Sequence, residues 1–208
     1  ALCIATLYPM LWVVKMALSP TEGLSLSANP FPEQVTFEHF KGVLGAHDSA
    51  GRWVFGRQLL SSLVVSGATT LVGLTLAVTA AYALSRFRFP GKQSGMQLLL
   101  ITQMFPATLM LVPLYSILQG LGLLDSLGGL VLVYSTASLP FCVWMLKGYF
   151  DTIPRELEEA AIMDGASPFQ VFIKVVLPLA RPALAVTALF SFMQAWNEFI
   201  LAVTLLND

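Results

Sequence analysis

The chain has 208 residues, of which 56% are apolar and only 11% are charged, and its mean hydropathy is +0.75. Soluble domains carry about 25% charged residues, so this composition excludes an ordinary water-soluble globule. The net charge of −1 argues against nucleic acid as a partner, because phosphate binding requires clustered Lys and Arg. We therefore expect an all-α integral membrane protein embedded in a lipid bilayer.

Four long apolar runs are candidates for membrane spans, because a crossing needs about 20 mostly apolar residues. The predicted spans lie near 59–84, 96–118, 127–147 and 183–206. We interpret residues 1–18 as a truncated first transmembrane helix, with a signal-peptide remnant as the alternative. The chain is thus expected to be a fragment of a longer membrane protein.

Basic residues predict the orientation of these spans. Two connections carry them, 85–95 and 148–182, at Arg86, Arg88, Lys92, Arg155, Lys174 and Arg181. The connection 119–126 has no Lys or Arg. The positive-inside rule places the first two connections in the cytoplasm and the third outside.

Alternation of the spans then divides the chain into domains. Residues 19–58 become an extracytoplasmic loop, and 59–208 become the membrane core. Within the first complete span, small residues at 67, 68, 73, 77, 80 and 81 predict close approach to a neighbouring helix.

The polar insert at 151–176 is predicted to form two short cytoplasmic helices. Pro154 suits the first position of the first helix, and Gly165 can adopt positive φ and end it. Negative charge near this start favours the helix N-terminus and is supplied by Glu156, Glu158 and Glu159. Helical spacing places one small, nearly flat face at Leu157, Ala160, Ala161 and Asp164.

The second short helix has its own start signal. Ser167, Pro168 and Gln170 are typical of a capping box with proline at the first helical position. Phe169 and Phe172 provide apolar anchors in this helix. We therefore expect a compact knob formed by two helices around a glycine, with a solvated loop helix as the alternative.

The spacing of the insert resembles the cytoplasmic signature of ATP-binding-cassette importer permeases. In that signature E-A-A is followed by three residues, G, nine residues and I-x-L-P. The matching positions are Glu159, Ala160, Ala161, Gly165, Leu177 and Pro178, with Val175 in the isoleucine place. Further runs, at 32–40, 82–92, 103–106, 146–150 and 195–199, are similar to the carbohydrate permeases of the maltose-permease type.

This resemblance implies a fold and a location. The fold would be a MetI-like bundle of the type I importer permease class, with about five of its six transmembrane helices present. The chain would be a binding-protein-dependent transport system inner membrane component, placed in a bacterial or archaeal cytoplasmic membrane.

The resemblance also implies a function and partners. The solute would be a sugar or oligosaccharide such as maltose or maltodextrin. The partners would be a cytoplasmic ATPase dimer, a second permease subunit and an extracytoplasmic solute-binding protein. The six matching residues would couple to the ATPase, so this subunit would need no cofactor and would have no catalytic site of its own.

Polar residues within the apolar runs are candidates for the solute pathway. They are Gln103, Gln194, Asn197 and Glu198. Ionisable groups in a bilayer usually face a cavity or a partner, and sugars need hydrogen-bonding groups. The alternatives are a helix–helix hydrogen bond or a water-filled outer vestibule.

Other functions fit the sequence less well. An intramembrane hydrolase would need a nucleophile with a base, paired acids or metal ligands at one depth, and we find no such set. His39 and His47 lack the pattern of a metal site, and Cys3 and Cys142 suggest buried thiols. An ion-coupled secondary transporter, or an importer permease for a non-sugar solute, remains the alternative.

Overall fold

The computed structural model describes residues 2–20 and 34–206, so parts of the predicted loop 19–58 and of the predicted core 59–208 lie outside the described residues. The helices in chain order are α1 (Leu2–Leu18), α2 (Glu38–Gly45), α3 (Val54–Arg86), α4 (Lys92–Gln103), α5 (Leu111–Leu121), α6 (Leu127–Thr152), α7 (Arg155–Met163), α8 (Pro168–Val171), α9 (Leu177–Leu179), α10 (Arg181–Asn197) and α11 (Ile200–Leu205). A 3₁₀ turn, Ala107–Met110, precedes α5, and a π-helical turn, Phe172–Val176, joins α8 to α9. The chain divides into two compact units, Ala1–Leu60 and Ser61–Asp208.

The first unit is held together by side-chain contacts to the end of α1. Lys15 is buried, and its ammonium lies 5.0 Å from the centre of the Trp12 ring. The Ser19 hydroxyl donates to the Lys15 carbonyl at 2.8 Å, and His39 Nε2 lies 2.9 Å from the Ser19 carbonyl oxygen. These contacts join α1 to α2.

A tight turn around Asp48 leads into α3. The backbone N–H of Arg52 donates to the Asp48 carboxylate at 2.9 Å, and the Arg52 guanidinium donates at 2.7 Å. These bonds, with one from the Ala50 N–H, hold the pKa of Asp48 below its usual range. An isolated antiparallel bridge between His47 and Trp53 closes the turn.

Among the described residues, two helices are long and apolar enough to cross a membrane, α3 and α6. Two further pairs of helices qualify if each bent pair counts as one span. The first pair, Lys92–Gln103 with Thr108–Leu121, is bent by 96°, and the second, Pro168–Leu179 with Arg181–Asn197, by 75°. The all-α membrane architecture expected from the sequence is confirmed.

The span predicted near 96–118 differs from the observed chain, because α4 ends at Gln103 and α5 begins at Leu111. Pro106 has an extended backbone, with φ −59° and ψ 131°. Proline has no N–H to continue a helical ladder and biases the residue before it away from the α region. The apolar run is therefore two helices joined by a sharp bend.

The span predicted near 183–206 is also interrupted. It begins within α10, but Glu198 has an extended backbone with φ −77° and ψ 121°, and α11 starts two residues later. No proline lies at this break. Its cause is the Glu198 side chain, which is described with the candidate site below.

A first core cluster joins α3 and α6 to the segment that follows α7. Its fully buried side chains include Ala77, Leu146, Phe150 and Val176. Cys142, a free thiol, is buried in the same cluster, in agreement with the sequence-based expectation for this residue. By the predicted orientation, this cluster occupies the cytoplasmic half of the bundle.

A second core cluster joins α3, α5, α6, α10 and α11 near the other end of the bundle. It is built from Val65, Leu118, Leu130, Val133, Tyr134, Ala195, Leu201 and Leu205. The backbone N–H of Asp125 also donates to the Leu205 carbonyl at 3.1 Å, tying the α5–α6 connection to the end of α11.

Between the clusters, α3 presents a face of small residues to its neighbours. Gly73, Ala77 and Ala81 recur every four residues and are buried, whereas Gly67 is exposed. A Cβ atom added at Gly73 would lie 3.1 Å from the hydroxyl of Ser138 on α6. Half of the predicted small-residue set therefore makes the close approach, because only residues four apart share this side of the helix.

We expect Gly73→Leu to destabilise the bundle, because its side chain would have to enter the packed contact between α3 and α6. Overpacking of this kind costs about 1–3 kcal/mol. Gly67→Leu is the matched control, since a Cβ atom at Gly67 meets nothing within 4 Å. Thermal unfolding of the two purified variants measures the difference, and equal melting temperatures would contradict the assigned packing.

Candidate functional site

The cytoplasmic hairpin begins where α6 ends and is shaped by backbone signals in its own sequence. Pro154 lies just before α7, with φ −58° and ψ 134°, one position earlier than the sequence suggested. Glu156 and Glu158 are in the first turn of α7. Their carboxylates lie near the positive end of the helix dipole, which favours the start of the helix at this point.

Gly165 ends α7 in the left-handed conformation, as predicted from the sequence, with φ +87°. The N–H of Ala166 donates to the Ala161 carbonyl at 3.0 Å, and the N–H of Gly165 donates to the Ile162 carbonyl at 2.9 Å. This pair of bonds is a Schellman motif, which reverses the chain within one residue. The turn between the two hairpin helices therefore depends on glycine.

The second hairpin helix starts with the predicted capping box. The Ser167 hydroxyl accepts from the Gln170 N–H at 3.3 Å, and the Gln170 side chain accepts from the Ser167 N–H at 2.9 Å. Pro168 occupies an early helical position. The helix continues through the π-helical turn to Leu179 and then bends by 75° into α10.

The six residues predicted to couple to the ATPase divide between the surface and the interior of the hairpin. Glu159, Ala160 and Gly165 are exposed. The other three, Ala161, Leu177 and Pro178, are half-buried, and Ala161 and Leu177 pack against the first core cluster. The motif therefore combines an outward surface with the base that holds it.

Large apolar side chains extend this outward surface. Met163 is 87% exposed and Phe169 is 72% exposed, while Ile162 lies beside them along α7. Phe172, the other predicted anchor, is buried in the first core cluster. Sequence reasoning paired the two phenylalanines, but the structure separates them into one surface and one core residue.

A buried ion pair fixes α7 to the end of α3. The guanidinium of Arg86 bonds the carboxylate of Glu158, and the two side chains are only 8% and 11% exposed. The Tyr82 hydroxyl donates to the same carboxylate at 3.0 Å, and Arg86 also donates to the Ile153 carbonyl at 3.0 Å. Glu158 thus has partners for both of its oxygens inside the protein.

A second set of polar contacts joins α3 to the end of α6. The Ser85 hydroxyl donates to Asp151 at 2.6 Å, and Lys147 donates to the other oxygen of Asp151 at 2.6 Å. Arg155 reaches back from α7 to the Ser85 carbonyl at 3.4 Å. We call Tyr82, Ser85, Arg86, Lys147, Asp151, Ile153, Arg155 and Glu158 together the junction cluster.

The junction cluster was missed in the sequence analysis. Glu158 was treated only as one of three acids that favour the start of a helix. The available signal was the pair Tyr82 and Arg86, four residues apart on α3, which places a hydroxyl and a cation on one helix face. What could not be seen was that Glu158, rather than its neighbour Glu159, turns toward that face.

Glu198 lies at the break between α10 and α11, and its carboxylate bonds the protein itself. It accepts from the N–H groups of Leu201 and Ala202 at 3.0 and 3.3 Å, and from the Tyr134 hydroxyl at 2.9 Å. The side chain therefore caps α11 and links it to α6, which makes a break possible without proline. This arrangement matches the helix–helix alternative considered for this residue.

The other predicted pathway residues are exposed and do not form one cluster with Glu198. The Gln103 side chain donates to the Ala137 carbonyl on α6 at 3.1 Å. Asn197 donates to the Met193 carbonyl of its own helix at 2.8 Å, and Gln194 is exposed on α10. Within the described ranges, no group of three His, Cys, Asp or Glu side chains is placed to hold a metal ion.

Comparison with protein families identifies a match over residues 73–208 of the chain. The matched family is described as binding-protein-dependent transport system inner membrane component. The matched region contains most of α3, all the helices that follow it, and the cytoplasmic hairpin.

Individual relatives extend the likeness to nearly the whole chain. The trehalose transport system permease protein SugB of Mycobacterium tuberculosis is 37% identical over 96% of this chain and 70% of its own length. The maltose/maltodextrin transport system permease protein MalG of Escherichia coli is 38% identical over 98% of this chain and 72% of its own. The chain thus spans about seven tenths of these relatives.

A solved structure has the same fold. It is described as a bacterial ABC transporter involved in the import of the acidic polysaccharide alginate. The TM-score is 0.82 at 29% identity, with all of this chain and 71% of the other chain covered.

We expect Glu158→Gln to destabilise the protein far more than Glu159→Gln. The first change leaves Arg86 buried without its counter-charge, which costs about 3–5 kcal/mol, whereas an exposed neighbour contributes less than about 1 kcal/mol. The measurement is the melting temperature of the solubilised protein. The exchange Arg86→Glu with Glu158→Arg restores opposite charges and should recover part of the loss; equal melting temperatures for the two single variants would contradict the pairing.

Glu198→Ala is expected to lower stability by about 1–3 kcal/mol, because α11 loses its cap and the Tyr134 hydroxyl loses its acceptor. Asn197→Ala is the control, since that side chain bonds only its own helix. Glu198→Gln keeps an acceptor oxygen and separates capping from a role in the solute pathway. Altered uptake at native stability in the Gln variant would support the pathway, and unchanged stability in the Ala variant would disprove the cap.

Proposed function

Because this chain belongs to the family of binding-protein-dependent transport system inner membrane components, we propose that it is the permease subunit of an ATP-driven sugar importer. The observation that carries the proposal is the likeness of nearly the whole chain to permeases named for trehalose and for maltose and maltodextrin. The solute class that these relatives share is a small glucose-containing sugar or oligosaccharide. The fold shared with a polysaccharide importer supports the same class.

The proposed partners follow from the family description and from the hairpin. A binding-protein-dependent system implies a solute-binding protein and an ATPase, and we propose that a second permease subunit completes the pathway. The exposed face of the hairpin, with Glu159, Ala160, Met163 and Phe169, is the proposed contact with the ATPase. Exposed aromatic and Met side chains of this size are typical of surfaces that bind a protein partner.

Movement of the ATPase would reach the membrane helices through the junction cluster. α7 is bonded to α3 through Glu158 and Arg86, and α3 is bonded to α6 through Ser85 and Asp151. Separating a buried, hydrogen-bonded ion pair costs about 3–5 kcal/mol. The hairpin and the ends of α3 and α6 would therefore move together as one rigid element between two positions, which is the physical basis for coupling distant sites.

Uptake of labelled trehalose and maltose by the complete transporter in vesicles tests the proposal. We expect uptake to require ATP and the binding protein and to be unaffected by a protonophore. Uptake that continues without ATP and is abolished by the protonophore would contradict an ATP-driven importer. Uptake of neither sugar nor of longer oligosaccharides would contradict the solute class.

The same assay tests the hairpin through Gly165. Gly165→Val places a β-branched residue at φ +87°, which costs about 1–2 kcal/mol and distorts the turn, although a Cβ atom there meets nothing within 4 Å. Gly165→Asn is the control, because asparagine tolerates this conformation. We expect the Val variant to transport several-fold less sugar per ATP hydrolysed, and the Asn variant to remain close to native. Equal coupling in all three proteins would argue against a role of the turn in coupling.

A further inference from the structure

A cavity of about 590 Å³ lies where the α3–α4 turn meets α6, at the end of the bundle predicted to face the cytoplasm. Its basic lining residues are Arg88, Lys92 and Lys147. Its large apolar or aromatic lining residues are Phe89, Met96 and Trp144. Among the described residues that line the cavity, none is acidic.

The charges around the cavity favour an anion. Lys147 donates to Asp151 at 2.6 Å, so this carboxylate offsets one of the three cations. Lys92 donates to the neutral Phe87 carbonyl at 3.2 Å and keeps its full charge, and Arg88 is exposed. An excess of two positive charges therefore remains beside the cavity. The start of α4, with Gly91 before it and no acid in its first turn, adds positive potential.

The apolar wall of the cavity continues along the helices away from the charges. Met96 is 8% exposed, and Trp144 is 38% exposed. Leu100 follows Met96 by four residues on α4, and Phe141 precedes Trp144 by three on α6, so each extends its helix face by one turn. Both are exposed. A ligand that combines an anionic group with a hydrocarbon chain would use both parts of this surface.

We propose that the cavity is a binding site for an anionic phospholipid of the cytoplasmic leaflet. The phosphate lies between Arg88 and Lys92, and the first carbons of an acyl chain lie along Met96 and Trp144. Basic pockets between transmembrane helices on the cytoplasmic side are suited to such headgroups, because the surrounding leaflet supplies anionic lipid at high local concentration. An acidic segment of a partner protein would satisfy the charges but not the apolar wall.

Titration of the complete purified transporter with phosphatidylglycerol, followed by native mass spectrometry, tests this site. The variant Arg88→Gln with Lys92→Gln removes both free charges, and each charge near a phosphate contributes roughly fivefold in affinity. We expect about 25-fold weaker binding of one phosphatidylglycerol molecule. The matched control is Lys41→Gln with Arg57→Gln, which removes two charges distant in sequence from the cavity and should leave this binding unchanged.

Three further arms separate the site from its alternatives. Arg88→Lys with Lys92→Arg keeps both charges and should bind as the native protein does, which distinguishes lost charge from lost folding. Phosphatidylcholine should not saturate the site, and millimolar inorganic phosphate or glycerol phosphate should not displace the lipid. Equal binding by the two Gln variants, displacement by the soluble phosphates, or lipid binding only after the ATPase is removed would each overturn the proposal.

Discussion

The buried ion pair between Arg86 and Glu158 is the constraint on which the cytoplasmic side of this protein depends. Its partners are 72 residues apart in the chain, one at the end of α3 and one in the first turn of α7. Burial of two charges is favourable only if their remaining hydrogen-bonding groups are satisfied, and Tyr82 and the Ile153 carbonyl do this here. Because α7 is held at this point, the Gly165 turn and the second hairpin helix project from a defined base.

Helix breaks give the bundle its second constraint. Pro106 divides one apolar run because it cannot donate to the helical ladder, and Glu198 divides another because its carboxylate takes the place of backbone acceptors at the start of α11. In each case a side chain supplies or removes a hydrogen bond that the lipid could not replace. The bends are thus produced by identifiable groups, and they separate the two core clusters.

The candidate site was predictable in part. The spacing of Glu159, Ala160, Ala161 and Gly165 indicated a hairpin between two spans, and local rules correctly predicted the positive φ of Gly165 and the capping box at Ser167. The same spacing could not tell surface from interior. Helical periodicity groups residues that share a face, but the direction of that face depends on the helix against which it packs.

Composition, periodicity and capping signals by themselves determined that this chain is a helical membrane protein with a polar hairpin between two apolar runs, because these properties depend on neighbours within a few residues. Only the tertiary structure decided that Glu158 is buried and Glu159 exposed, that Phe172 enters the core and Phe169 does not, and that Glu198 bonds Tyr134. These outcomes depend on contacts between residues far apart in the chain, and distant contacts are formed by packing of whole helices. The physical reason is range: a hydrogen bond within one helical turn is specified locally, whereas the burial of a charge is specified by everything that surrounds it.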